Sequence, residues 1–143
     1  MATQVIKEIK GFYYSQKYKT SIPLFNYISV NAKINNKNGS MDKHILGKQT
    51  KRNDGLDKYG RPKKSYWRGD LNEDQIKRII TSSIGKGKVY KMPDGSYREL
   101  IKYGMNVGKY VDVNGNSSPT QRFLIHYSSN GVHAYPCHPK KEA

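Results

Sequence analysis

From Gly87 onward the chain is cut by turn signals into short alternating runs, and this punctuation constrains the fold more than any other feature. KVYKM (88–92) ends at Pro93-Asp94-Gly95-Ser96, with Pro and Gly standing where a tight turn prefers them. SYRELIKY (96–103) alternates polar and apolar residues and stops at Gly104. GKYVDV (108–113) runs into Asn114-Gly115, and RFLIHYSS (122–129) into Asn130-Gly131. Asn-Gly is the strongest short hairpin signal because both residues tolerate positive φ. Runs divided this way predict antiparallel strands joined by hairpins.

One helix is expected before them, over Asp70 to Gly85. Asp70 is placed as N-cap, with Glu73 three residues later as a capping box requires. Ile76, Ile79, Ile80 and Ile84 recur at helical spacing and form one apolar stripe. Gly85 or Gly87 supplies the stop. Residues 41 to 69 read as a basic loop region, broken by Gly47, Gly55, Gly60 and Pro62, with a short ordered piece around His44. The predicted class is α+β, a short helical N-terminal part packed on an antiparallel sheet of four or five strands. Residues 1–34 read as a basic, Tyr-rich lead-in and 35–143 as the domain proper. Trp67 is expected in the core.

Charge narrows the partners. Lys and Arg number 26 against 11 Asp and Glu, a formal net charge of +15. Such a field attracts polyanions, nucleic acid first, then an acidic protein, then an anionic membrane surface. No apolar run approaches the ~20 residues of a membrane span, and the N-terminal stretch lacks the apolar core of a secretory signal. Cys137 is the only cysteine, which excludes an internal disulfide and a cysteine-based metal site.

Three of the four histidines fall within residues 126–138. With Asn130-Gly131 as a two-residue turn, Ser128 would face His133 and His126 would face Tyr135. Alternation then puts Phe123, Ile125, Tyr127 and Ala134 on a core face. Leu124, His126, Ser128, His133 and Tyr135 share the other, polar face. A three-residue loop would break this grouping. Two adjacent imidazoles near neutral pH can supply one base and one acid. Alternatively the face is simply solvated. A metal would be short of ligands with two His and no nearby carboxylate.

Other groups suit the same chemistry. Lys43-His44 heads the basic loop; Arg61, Lys63, Lys64 and Ser65 follow; Thr120 and Arg122 open the histidine strand. RNA cleavage by its own 2′-hydroxyl needs a base for that proton, an acid for the leaving 5′-oxygen, and cations for the phosphorane. It needs no metal or other cofactor. The basic residues could equally hold phosphate without catalysis.

DKHILG (42–47), GRPKKS (60–65), the helix ending near IGKG, and TQRFLIHYSSNGVHAYP (120–136) together resemble the type 50 toxin domain of bacterial polymorphic toxins. The resemblance covers roughly residues 34–137, and its terminal histidine motif is the most specific part. The matching positions are Lys43, His44, Gly47, Gly60, Arg61, His126, Tyr127, Ser128, Gly131, His133 and Pro136. The family's contiguous Gly-Arg-Ser is interrupted here, so Ser65 stands in the serine's place only after an insertion. The resemblance implies a ribonuclease toxin with the fold shared by barnase, the EndoU nucleases, the tRNA-cleaving colicins and RelE. It also implies a dedicated immunity protein.

Together these readings predict a metal-independent endoribonuclease toxin acting on tRNA, rRNA or mRNA and leaving a 2′,3′-cyclic phosphate. His44 and His126 would share the base and acid roles, and Lys43 and Arg122 would stabilise the phosphorane. Ser128, Thr120, His133 and Tyr135 would position the phosphate, with Arg61, Lys63, Lys64 and Ser65 holding the substrate. The expected partner is a small acidic immunity protein, matched to the basic surface. The expected setting is delivery from a producing cell, within a larger secreted protein, to a target-cell cytoplasm. The rivals are a non-enzymatic nucleic-acid binder, a metal-dependent DNase toxin, and an inactive accessory domain.

Overall fold

The computed structural model describes residues 33–128 and 131–143. The lead-in expected over 1–34 lies outside the described residues, apart from its last two positions. After a 3-10 turn at Lys37–Gly39 and another at Asp42–His44, the elements are β1 (Tyr66–Trp67), α1 (Glu73–Ser83), β2 (Lys88–Lys91), β3 (Tyr97–Lys102), β4 (Gly108–Val111), β5 (Ser117–Thr120), β6 (Arg122–Ser128) and β7 (Gly131–Pro136). The α+β class holds, but the strands form two antiparallel sheets and not one. One has the order β2-β3-β6-β7 and the other β1-β4-β5.

The division follows from β1, a two-residue strand inside the predicted loop region. Tyr66 and Trp67 pair with Lys109 and Gly108, which draws the β4–β5 hairpin away from β3. Gly108 permits the pairing, because a Cβ there would stand 2.1 Å from the Tyr66 carbonyl oxygen. Only Gln121 separates β5 from β6, so one stretch of chain passes directly from the small sheet into the large one.

Helix α1 starts two residues later than the sequence suggests. Asn72 is the N-cap, accepting from the Gln75 N–H while the Gln75 side chain accepts from the Asn72 N–H. That reciprocal box outcompetes Asp70, whose carboxylate is instead held by Arg68 at 2.7 Å. The apolar stripe docks as its spacing implies. Ile76 and Ile80 are buried with Phe123, Ile125, Tyr127, Val132 and Ala134 from one face of the large sheet. Trp67 closes this core, its Nε1 donating to the Ala134 carbonyl at 3.0 Å. The free thiol of Cys137 is buried in a small second cluster with Leu100 and Leu124 on the opposite face.

Glu99 is the unexpected core residue. It is fully buried on the helix-covered face. Its Oε1 accepts from the Gly85 N–H and the Tyr127 hydroxyl, and its Oε2 from the Gly87 N–H. The carboxylate thus pins the chain leaving α1 to the sheet, and burial pushes its pKa up against those hydrogen bonds.

The histidine hairpin pairs in a register different from the predicted one. Ser128 lies opposite Gly131, His126 opposite His133, and Leu124 opposite Tyr135. Ser129 and Asn130, on which the predicted turn partly falls, lie outside the described residues. Gly131 pairs with Ser128 as part of the strand, and only glycine fits there: a Cβ would meet the Lys33 carbonyl oxygen at 2.1 Å. That carbonyl accepts from the Val132 N–H, and the Val132 carbonyl accepts from Asn35, so the incoming chain pairs with β7. The slip changes the opposed pairs but moves the partner by two residues, so the predicted division of faces survives.

Candidate functional site

A cleft of about 360 Å³ opens between the two sheets. One wall is Lys43-His44 from the 3-10 turn with Lys63, Lys64 and Ser65. The floor is His126, His133 and Tyr135 of the large sheet, and the rim is Val111–Val113, from the last residue of β4 onward. Residues more than 80 positions apart in sequence therefore share one concavity.

His44 is held from two sides. It is only 4 % exposed, and its Nδ1 lies 2.7 Å from the Ser65 carbonyl oxygen. A carbonyl can only accept, so Nδ1 carries the proton and Nε2 keeps its lone pair. The ring stacks on Tyr135, with centroids 4.8 Å apart and planes 22° from parallel. Burial is the main reason its pKa falls to about 3, with Lys43, His133 and Lys64 adding repulsion and the Ser65 bond opposing them.

His126 and His133 meet edge to face, with centroids 4.7 Å apart. His126 Nε2 is 2.7 Å from the Tyr135 hydroxyl, so Tyr135 stacks on one imidazole and hydrogen-bonds the other. Burial first, then the charges of His133 and Arg98, lowers the His126 pKa to about 3. Burial, then Lys43 and Arg98, lowers that of His133 to about 4. Burial raises Tyr135 to about 12. At neutral pH the site thus holds three neutral imidazoles and a neutral phenol beside cations.

Arg98 has no place in the sequence-based reading. It sits in one cross-strand row with Tyr90, His126 and His133, on the face of the histidines. Its Nε and the Nδ1 of His133 are buried polar atoms without a hydrogen-bond partner. Buried donors and acceptors are normally satisfied, so each exception calls for a cause, such as strain, a catalytic role, or an ordered water or ion. The alternation of SYRELIKY puts Arg98 opposite in facing to Glu99. What the sequence lacks is the long-range β3–β6 register that aligns it with His126.

Three predicted site residues stand elsewhere. Arg122 shares the histidine face but lies four residues along β6 from His126. Its Nη1 is bound by the Lys141 carbonyl and by Glu142 at 2.9 Å. Thr120, at the other side of Gln121, is 2 % exposed, and its hydroxyl accepts from the Arg122 N–H. The Ser128 hydroxyl donates to the Gly131 carbonyl at 3.1 Å, fastening the end of the hairpin. Ser65 does line the cleft, but its hydroxyl accepts from the Val111 N–H and ties the small sheet to the wall. Arg61 lines an adjoining groove of about 660 Å³, which shares Lys63, Lys64, Asp112 and Val113 with the cleft. Among the described residues, no group of three His, Cys, Asp or Glu is disposed to hold a metal ion.

The sequence of residues 34–136 matches the bacterial toxin 50 family. The chain belongs to that family. The match spans most of the chain and has structural ends. It opens at Ile34, where the chain bridges to Val132, and closes at Pro136, the last residue of β7. The whole cleft of this toxin domain lies inside it, whereas Lys141 and Glu142, the partners of Arg122, lie beyond it. No curated protein matches the chain. Among the described residues, no helix of the toxin domain is long and apolar enough to cross a membrane.

Proposed function

We propose that this toxin domain is an endoribonuclease that cleaves RNA through the substrate's own 2′-hydroxyl, without a metal, leaving a 2′,3′-cyclic phosphate and a 5′-hydroxyl. The observation that carries the reading is the single cleft in which His44 faces the paired His126 and His133, with Tyr135 touching both sides.

His44 is the general base, since its tautomer leaves Nε2 free to take the 2′-hydroxyl proton. His126, coupled to Tyr135, is the acid for the leaving 5′-oxygen. With its pKa lowered to about 3 it is uncharged at neutral pH. An entering phosphodiester places a negative charge beside it and restores the charged form that burial and the nearby cations oppose. Lys43 and Arg98 then face the phosphorane charge, and Arg98 takes the part the sequence suggested for Arg122. His133 positions the phosphate. Lys63, Lys64 and Arg61 carry the flanking backbone. Arg122, Thr120 and Ser128 have no part in this scheme.

The same reading assigns the two-sheet domain to the fold shared by barnase, the EndoU nucleases, the colicin tRNases and RelE. An acidic immunity protein would cover the cleft, and the domain would act in the cytoplasm of a target cell after delivery within a larger protein. The test is incubation of total RNA with the purified protein in EDTA over a pH series, followed by mapping of fragment ends. Fragments with cyclic phosphate ends are expected, and RNA left intact throughout would defeat the proposal.

A further inference from the structure

The groove beside the cleft has charged walls, but each of its cations already has an acidic neighbour. Arg61 pairs with Asp57 at 2.9 Å, Lys63 pairs with Asp54, and Lys64 lies 3.4 Å from Asp54. Exposed pairs of this kind are weak and screened, so they neither exclude a phosphate nor draw one strongly. Whatever the groove binds must gain affinity from something else.

Tyr59 provides it. The residue stands 68 % exposed at the tip of the loop that forms one wall. The loop is built to hold it there. Asp57 Oδ1 accepts from both the Tyr59 and Arg61 N–H groups at 2.9 Å, and the Asp57 N–H donates to the Arg61 carbonyl at 2.8 Å. Leu56 and Pro62 bridge at its base. The ring belongs to neither buried apolar cluster. Its close neighbours are cations, the Arg61 guanidinium 4.9 Å and the Lys58 ammonium 5.0 Å from its centroid. An ordered loop that projects an aromatic beside cations is the arrangement that stacks nucleobases in single-stranded nucleic acid. From Arg61 the wall runs through Lys63 and Lys64 into the cleft.

We propose that Tyr59, backed by Arg61, is a stacking subsite for an unpaired base flanking the cleaved phosphate. This rests on RNA being the substrate and defines its form. A base must leave its helix to stack on protein, so the substrate is a single-stranded or looped segment. Every base has a π face, so the subsite adds affinity and reach with little sequence preference.

The experiment compares wild type, Tyr59→Ala and Tyr59→Phe. Binding is read by fluorescence anisotropy with an uncleavable 2′-O-methyl octanucleotide, single-stranded or annealed to its complement. KM and kcat are read with an RNA octanucleotide and with a dinucleoside monophosphate. Tyr59→Ala should weaken single-strand binding and raise the octanucleotide KM about tenfold. It should leave kcat, the dinucleotide and the duplex unchanged, while Tyr59→Phe stays near wild type. Octanucleotide binding indifferent to Tyr59→Ala overturns the proposal. So does an equal loss on the dinucleotide, or a defect confined to capture of an acidic protein partner. If the wild type cleaves nothing but single-strand binding still depends on Tyr59, the subsite stands and the ribonuclease reading falls.

Discussion

On one face of the four-stranded sheet Phe123, Ile125, Tyr127 and Ala134 are fully buried beneath α1; on the other, His126, His133 and Tyr135 line an open cleft. Both faces come from the same strands by alternation, and both bury ionisable groups. They treat those groups differently. Glu99, on the covered face, has both carboxylate oxygens hydrogen-bonded. Arg98 and His133, on the cleft face, each keep a buried polar atom without a partner. Unsatisfied groups destabilise a folded chain, and among the described residues of this sheet they fall on one face and not on the other. Substitutions on either face test that difference.

Phe123→Ala on the covered face should cost about 3–5 kcal/mol of stability, read from the urea midpoint, and a loss under 1 kcal/mol would show that this face is not the core. His126→Ala on the cleft face should cut RNA cleavage on the order of 10²-fold or more while thermal unfolding stays close to wild type. Equal damage to activity and stability would erase the distinction between the faces. Glu99→Gln presents a donor to the Gly87 N–H in place of an acceptor, and should cost about 1–3 kcal/mol; an unchanged melting temperature would mean the carboxylate pins nothing.

Acid should act through the cleft face. Unfolded histidines take up protons near 6.5, whereas His44 and His126 stay neutral down to about 3 and His133 to about 4. Below pH 6.5 the unfolded chain therefore binds more protons, and stability falls as pH drops from about 6.5 towards 4. The slope approaches ~1.4 kcal/mol per pH unit for each histidine. Urea midpoints that do not move between pH 7 and pH 5 would mean the rings are charged in the folded state. The smallest effect belongs to Arg122→Ala. Its pairing with Glu142 is solvent-exposed and screened, so the melting temperature should hardly move, and cleavage should stay within about twofold. A large loss would return Arg122 to the site.

How much of this could be read in advance depends on range. The stripe of Ile76 and Ile80, the hairpins, and the sorting of Phe123 from His126 were legible because each rests on local periodicity. The helix start was misplaced because Asp70 and Asn72 are both good caps, and the choice turned on Arg68 capturing Asp70. The second sheet was hidden because a two-residue strand such as Tyr66–Trp67 has no periodicity to detect. Arg98 was missed for a related reason: its neighbour His126 is 28 residues away, and only the β3–β6 pairing puts them side by side. Arg122 was read into the site because it opens the histidine strand, but it stands four residues along β6 from His126 and is not among the residues that line the cleft.

Ser65 holds His44 through its peptide oxygen and leaves its hydroxyl to the neighbouring sheet. Every amino acid carries that oxygen. The anchor that sets the imidazole's proton is thus shielded from codon change. Drift at position 65 can loosen the wall, but only a shift of the main chain can set the ring free.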